Sequence, residues 1–123
     1  MGNAVKHFEL VAKDPTKLRT FFGALFDWRA EELPDMGYAM LHAGEHDGIS
    51  GGLATASAEM PGGLAIYVQV DDVDAYLAKA RKLGASKVLQ EPHDIPGVGR
   101  FAIFCDPEGN RIGLWKVSPA EGV

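Results

Sequence analysis

The sequence predicts an α+β fold of two βαβββ modules forming curved mixed sheets. Three observations point there. The chain of 123 residues carries Gly 15 and Pro 7, too many turn formers for a helical bundle. Apolar residues recur in short alternating runs, with only two stretches at helical spacing. The order of those elements also repeats: a shift of 58 positions lays Asp14 on Asp72 and Leu18 on Tyr76, and a shift of 61 lays Gly48 on Gly109 and Gly52 on Gly113.

Val5 to Lys13 alternates as a strand, with Val5, His7, Glu9 and Val11 on one face and Phe8, Leu10 and Ala12 on the other. Asp14-Pro15 starts a helix, because a carboxylate caps free N–H groups and proline suits the first helical position. Leu18, Phe21, Phe22, Leu25 and Phe26 then form one apolar stripe for packing. Three short strands follow between Arg29 and Ala54, broken at Pro34-Asp35, at Gly44 to Gly48, and by Gly51-Gly52. Module one spans about 4–54, a small polar linker 55–63, and module two about 64–117, within one domain over 1–123.

In the second module, Leu64 to Val70 is a strand, and Asp72 caps a helix whose stripe is Val73, Tyr76, Leu77, Ala80 and Leu83, closed by Gly84. Strands at Lys87–Gln90, Arg100–Cys105 and Arg111–Val117 are separated by the turns at 95–99 and 106–110. Each helix covers one sheet face and leaves a concave face for other work.

Composition excludes several classes of function. Lys+Arg 12 against Asp+Glu 17 gives −5, with no basic run, so nucleic-acid binding is not expected. No apolar stretch reaches the roughly 20 residues of a membrane span. Met1-Gly2-Asn3-Ala4 shows no secretory leader, and one cysteine, Cys105, excludes a disulfide framework; a cytoplasmic protein is expected. Cys105 lies in an apolar strand and reads as buried and inert.

His7 followed by Asp14-Pro15, then Phe21-Phe22-Gly23, Val70-Asp71-Asp72-Val73-Asp74 and Asp106-Pro107-Glu108-Gly109-Asn110, resembles the vicinal oxygen chelate superfamily along essentially the whole chain. That superfamily includes glyoxalase I, bleomycin-resistance proteins and extradiol dioxygenases. The resemblance implies paired modules, commonly dimeric. In its metal-dependent members it also implies an ion in the cup, held from the first and last strand of each module. The matching positions here are His7, Gly52, Ala65 and Gly113. Glycine and alanine offer no donor, so the expectation is a lost metal and no cofactor. His42, His46, His93, Glu45 and Asp47 show no ligand spacing on a single face.

Beside those positions, alternation places Glu9, Tyr67, Gln69, Arg111 and Trp115. His7, Glu9, Tyr67, Gln69, Arg111 and Trp115 are therefore the candidate ligand-binding residues, in a space opened by the glycines. Structural roles stand beside these: a hydrogen-bonded strand histidine at His7, a solvated carboxylate at Glu9, core aromatics at Tyr67 and Trp115, and bulges at Gly52 and Gly113. The first functional reading is a metal-free protein that binds an aromatic or amphipathic small molecule as a homodimer. The second is an enzyme in which His7 or Glu9 acts as general base and Tyr67 steadies an enolate. The third is a dimeric scaffold without a ligand.

Overall fold

The computed structural model describes residues 2–33, 37–44 and 47–118. Its elements run β1 (Val5–Ala12), α1 (Pro15–Phe26), β2 (Arg29–Leu33), β3 (Tyr38–His42), β4 (Ser50–Thr55), β5 (Gly63–Gln69), α2 (Val73–Leu83), β6 (Lys87–Ile95), β7 (Gly99–Cys105) and β8 (Arg111–Val117). They are two βαβββ modules in an α+β fold. The chain divides into two compact units, Lys6–Leu64 and Ala65 onward, the latter joined by the residues up to Val5.

In module one the strand order is β2-β3-β4-β1, with β1 parallel to β4 and the other pairs antiparallel. Ala12, Ala39, Leu41 and Leu53 form its buried core, with Phe8, Leu10, Leu18, Trp28 and Ala30 packed against them. Asp14 caps α1 by accepting from Lys17 N–H at 3.1 Å, as its position before Pro15 predicts. The helix stops at Asp27, which adopts the left-handed conformation at φ 62° and donates its N–H to Gly23 O at 3.0 Å.

The α1 stripe is only partly covered. Leu18 reaches the core, but no α1 residue is fully buried, and Phe21, Leu25 and Phe26 are each more than half exposed. Periodicity says which side chains share a face; it does not say what covers that face.

Gly51-Gly52 does not break a strand, contrary to expectation. Both glycines lie inside β4, paired with Phe8 and Glu9 of β1. A Cβ at position 51 would run into the Phe8 ring, and one at position 52 into Tyr38. The glycines let aromatic rings lie flat on the strand. The expected break at Pro34-Asp35 lies outside the described residues.

In module two the order is β5-β8-β7-β6, with β5 parallel to β8. Val70, Val73, Leu77, Ala102 and Leu114 are its core. Asp72 accepts from Ala75 N–H at 3.0 Å, and Gly84 closes α2 at φ 109°. β6 runs to Ile95, five residues past the expected end, because register shifts around Gln90 let an outer strand carry Pro92. Arg100 ties the module together, reaching Asp74 of α2 at 2.9 and 3.0 Å and Asp94 of β6 at 3.0 Å.

Residues ahead of β1 belong to this second unit. Gln69 N–H donates to Ala4 O at 2.9 Å, and Asn3 Nδ2 donates to Gln69 O at 3.2 Å.

Candidate functional site

Side chains alternate along a strand, so the register fixes which residues share the face away from α1. His7 pairs with Ser50, Glu9 with Gly52, Met40 with Gly52, and Arg29 with His42. That face of module one therefore carries His7, Glu9, Tyr38, Met40, Arg29 and His42.

His7 is the organising residue. Its Nδ1 lies 2.6 Å from Ser50 Oγ and its Nε2 lies 2.8 Å from the Tyr38 hydroxyl. The Ser50 hydroxyl donates to the Lys6 carbonyl oxygen at 3.3 Å, so Oγ receives Nδ1–H. Nε2 is then the acceptor for the Tyr38 O–H, which fixes the imidazole in one neutral tautomer. Burial pushes the His7 pKa below its ordinary value, because the charged form loses hydration. The His7 and Tyr38 rings meet end to end through that hydrogen bond, with centroids 6.5 Å apart and planes 29° from parallel.

Glu9 is buried at 8% exposure, so the reading of a solvated rim carboxylate is not met. It has interaction partners within the protein, as a carboxylate at that depth requires.

In module two, Tyr67 is buried and its ring lies where a side chain at Gly113 would sit. At Gly99 the Lys116 carbonyl oxygen and the edge of the Trp115 indole take up the space of a side chain. The expected open space at Gly52 and Gly113 is thus occupied by two tyrosines from the chain itself. Arg111 begins β8, half-buried, opposite Ala65 in the register, and Gln69 ends β5 exposed. Cys105, expected to be buried, is half-buried with a free thiol.

So the structure joins His7 to Tyr38 and Ser50 in module one, and sets Tyr67, Gln69, Arg111 and Trp115 on paired strands of module two. Sequence reasoning missed Tyr38. Its signal was the alternation of Tyr38, Met40 and His42 against buried Ala39 and Leu41.

The four positions that hold an ion in metal-dependent relatives do not supply a divalent donor set. Gly52 and Gly113 lie under tyrosine rings, Ala65 has only a methyl group, and both His7 nitrogens face hydroxyls. Among the described residues no three His, Cys, Asp or Glu side chains converge. His42 pairs with Glu31 at 3.0 Å and His93 meets the Phe101 ring edge-on. Glu45 and His46 lie outside the described residues. A separate open groove of about 950 Å³ on module one is lined by Phe26, Asp27, Trp28, Arg29, His42 and Gly44, away from His7.

The profile of the Glyoxalase/Bleomycin resistance protein/Dioxygenase superfamily matches residues 4–114. The glyoxylase-named protein CFP32 of Mycobacterium bovis is 38% identical over 84 residues, covering 68% of this chain and 31% of that protein. The anthracycline biosynthesis protein DnrV of Streptomyces peucetius is 29% identical over 136 residues, covering 94% of this chain and 47% of that one. The chain thus spans less than half the length of these relatives. Among solved structures, a hypothetical protein from Bacillus halodurans superposes with TM-score 0.68 at 15% identity, each chain fully covered. A Streptomyces coelicolor methylmalonyl-CoA epimerase bound to 2-nitronate-propionyl-CoA superposes with TM-score 0.65 at 20% identity, covering 95% of this chain and 99% of the other. At such identities the likeness concerns the fold. No helix among the described residues is long and apolar enough to cross a membrane. With its two βαβββ modules and a match across nearly its whole length, the chain belongs to the glyoxalase/bleomycin resistance protein/dioxygenase superfamily.

Proposed function

We propose that this domain, read as one unit over 1–123, binds an aromatic or amphipathic small molecule without a metal centre or other cofactor. One observation carries the reading. Where metal-dependent relatives place a ligand, Gly52 admits the Tyr38 phenol, and His7 holds that phenol instead of an ion. Taken separately, the helix-free face of each module combines aromatic surface with polar groups, Tyr38 with His7 and Glu9 in module one and Tyr67 and Trp115 with Gln69 and Arg111 in module two, a composition that suits small-molecule binding. The resemblance to a protein named for anthracycline biosynthesis supports an aromatic ligand.

The test is fluorescence titration of the protein with an anthracycline and a panel of naphthalene derivatives, with and without EDTA. Binding that survives the chelator and weakens in Tyr38→Ala and Tyr67→Ala supports the proposal. A stoichiometric divalent ion whose removal abolishes binding overturns it. An empty screen favours a scaffold.

A second reading is supported by the fixed His7 tautomer. Neutral, with Nε2 as acceptor, His7 has the form of a general base, and buried Glu9 lies two residues along the same face. In that enzyme His7 or Glu9 removes a proton α to a carbonyl. His7→Ala and Glu9→Gln should then abolish turnover of an identified substrate in proteins that stay folded. Full activity in both variants would remove the assignment.

The exposed Phe21, Leu25 and Phe26 on α1 support a homodimer, because monomeric proteins seldom leave such clusters in water. Light scattering tests it, and a monomeric mass at micromolar concentration refutes it. We assign the cytoplasm as its compartment, where a free thiol such as Cys105 stays reduced.

A further inference from the structure

Arg111 is the first residue of β8, directly after the turn at Asp106 to Asn110. Of the two carboxylates in that turn, Glu108 is exposed and Asp106 is already committed. Asp106 accepts from the N–H groups of Glu108 and Asn110 at 2.9 and 2.8 Å, and from Asn110 Nδ2 at 2.9 Å. In the register Arg111 stands between Ala65 on β5 and Cys105 on β7, neither of which carries a carboxylate. The guanidinium Nη1 is buried and has no hydrogen-bond partner among the described residues. Three other arginines are ion-paired: Arg19 with Glu32, Arg81 with Glu91, and Arg100 with Asp74 and Asp94.

Folded proteins rarely leave a buried N–H unpaired, least of all on a charged group, because such a group gives up water and gains nothing. Here the chain has a net charge of −5 and many carboxylates to offer, yet none among the described residues reaches this nitrogen. Alternation puts Arg111 on the same face as Gly113 and Trp115 of β8 and Ala65 and Tyr67 of β5, away from the α2 core.

We propose that Arg111 anchors an anionic group, specifically the carboxylate of an aromatic acid whose ring lies against the Tyr67 and Trp115 side of module two. This rests on the small-molecule reading above and narrows it to a charge class. A planar carboxylate presents two acceptor oxygens to the guanidinium fork, and the pairing is strongest where water is excluded.

The experiment compares 2-naphthoate with 2-naphthamide, which share a ring system and differ in charge, by calorimetric titration at neutral pH and low salt. The wild-type protein is expected to favour the carboxylate by about tenfold, as a charge-assisted pair over a neutral one implies. Arg111→Gln should erase that preference, bringing the two affinities together. Arg111→Lys should keep part of it, since charge remains and the fork is lost. Circular dichroism confirms the fold of each variant, and Arg111→Met serves if the glutamine variant does not fold. Equal affinity for the two probes, or a preference that persists in Arg111→Gln, overturns the anion assignment and leaves small-molecule binding standing. If neither probe binds at millimolar concentration, both the small-molecule reading and the anion assignment fall.

Discussion

The Tyr38 hydroxyl occupies the space that a side chain at Gly52 would need, and hydrogen-bonds from there to His7 Nε2 at 2.8 Å. The glycine and the tyrosine are therefore one unit, contributed by neighbouring strands. Gly52→Ala should destabilise the protein by about 1–3 kcal/mol, the usual cost of forcing volume into a packed site. Tyr38→Ala should relieve that clash. The double variant should then lose less than the two single losses combined, by roughly 1 kcal/mol, in urea unfolding. Strict additivity would mean that the two residues do not compete for the space.

Burial lowers the His7 pKa below its ordinary 6.5. The unfolded chain therefore takes up the His7 proton first as pH falls. The contribution is fully present above the unfolded pKa and is lost as pH drops from there through the lowered folded value. The melting temperature should decline over that mildly acidic window, and His7→Gln should flatten the decline. A wild-type curve with no slope there would contradict the buried neutral imidazole.

Divalent ions should have little effect on stability. An ion bound to the folded state alone, supplied at a hundred times its dissociation constant, would add about 2.7 kcal/mol. Zinc, nickel and manganese salts should leave the melting temperature unchanged, as should EDTA. A clear upward shift with any of them would mean that donors other than the four family positions assemble a site.

Two exposed carboxylates contribute to the loss of stability in acid. The Arg100 guanidinium holds the Asp74 pKa below the usual carboxylate value, and Asn110 does the same for Asp106 through its side-chain amide and backbone N–H. Both contributions are present above the unfolded carboxylate pKa and are lost as pH falls through the lower folded values. Asp74→Asn and Asp106→Asn should each shallow the acid unfolding limb, measured by ellipticity against pH. The same slope in wild type and both variants would place the acid-sensitive groups elsewhere.

Features written in local chemistry were legible from the residues. Asp14 ahead of Pro15, Asp72 ahead of Val73 and Gly84 after Leu83 mark helix ends because capping involves neighbours in the chain. The duplication was legible too, since it needs only comparison of the chain with itself. Gly51-Gly52 misled, because a glycine pair says nothing of the Phe8 and Tyr38 rings that cross it from adjacent strands. Tyr38 was missed for the same reason: its partner His7 is 31 residues away, and only the β3–β4–β1 register joins them. Periodicity placed Phe21 and Leu25 on one face but could not say that the sheet stops short of them.

Asn3 and Ala4 precede all of module one in the chain, yet their hydrogen bonds go to Gln69, and Tyr76 donates to Asn3 Oδ1 at 3.5 Å. These contacts span 65 residues or more, among the slowest kind to close when a chain folds. During synthesis the residues ahead of β1 therefore wait, unpaired, while the first module is made, and dock only once β5 and α2 have emerged. Completion of the second half thus depends on a strand end already tethered to the first, an order of assembly that two separately expressed halves could not reproduce.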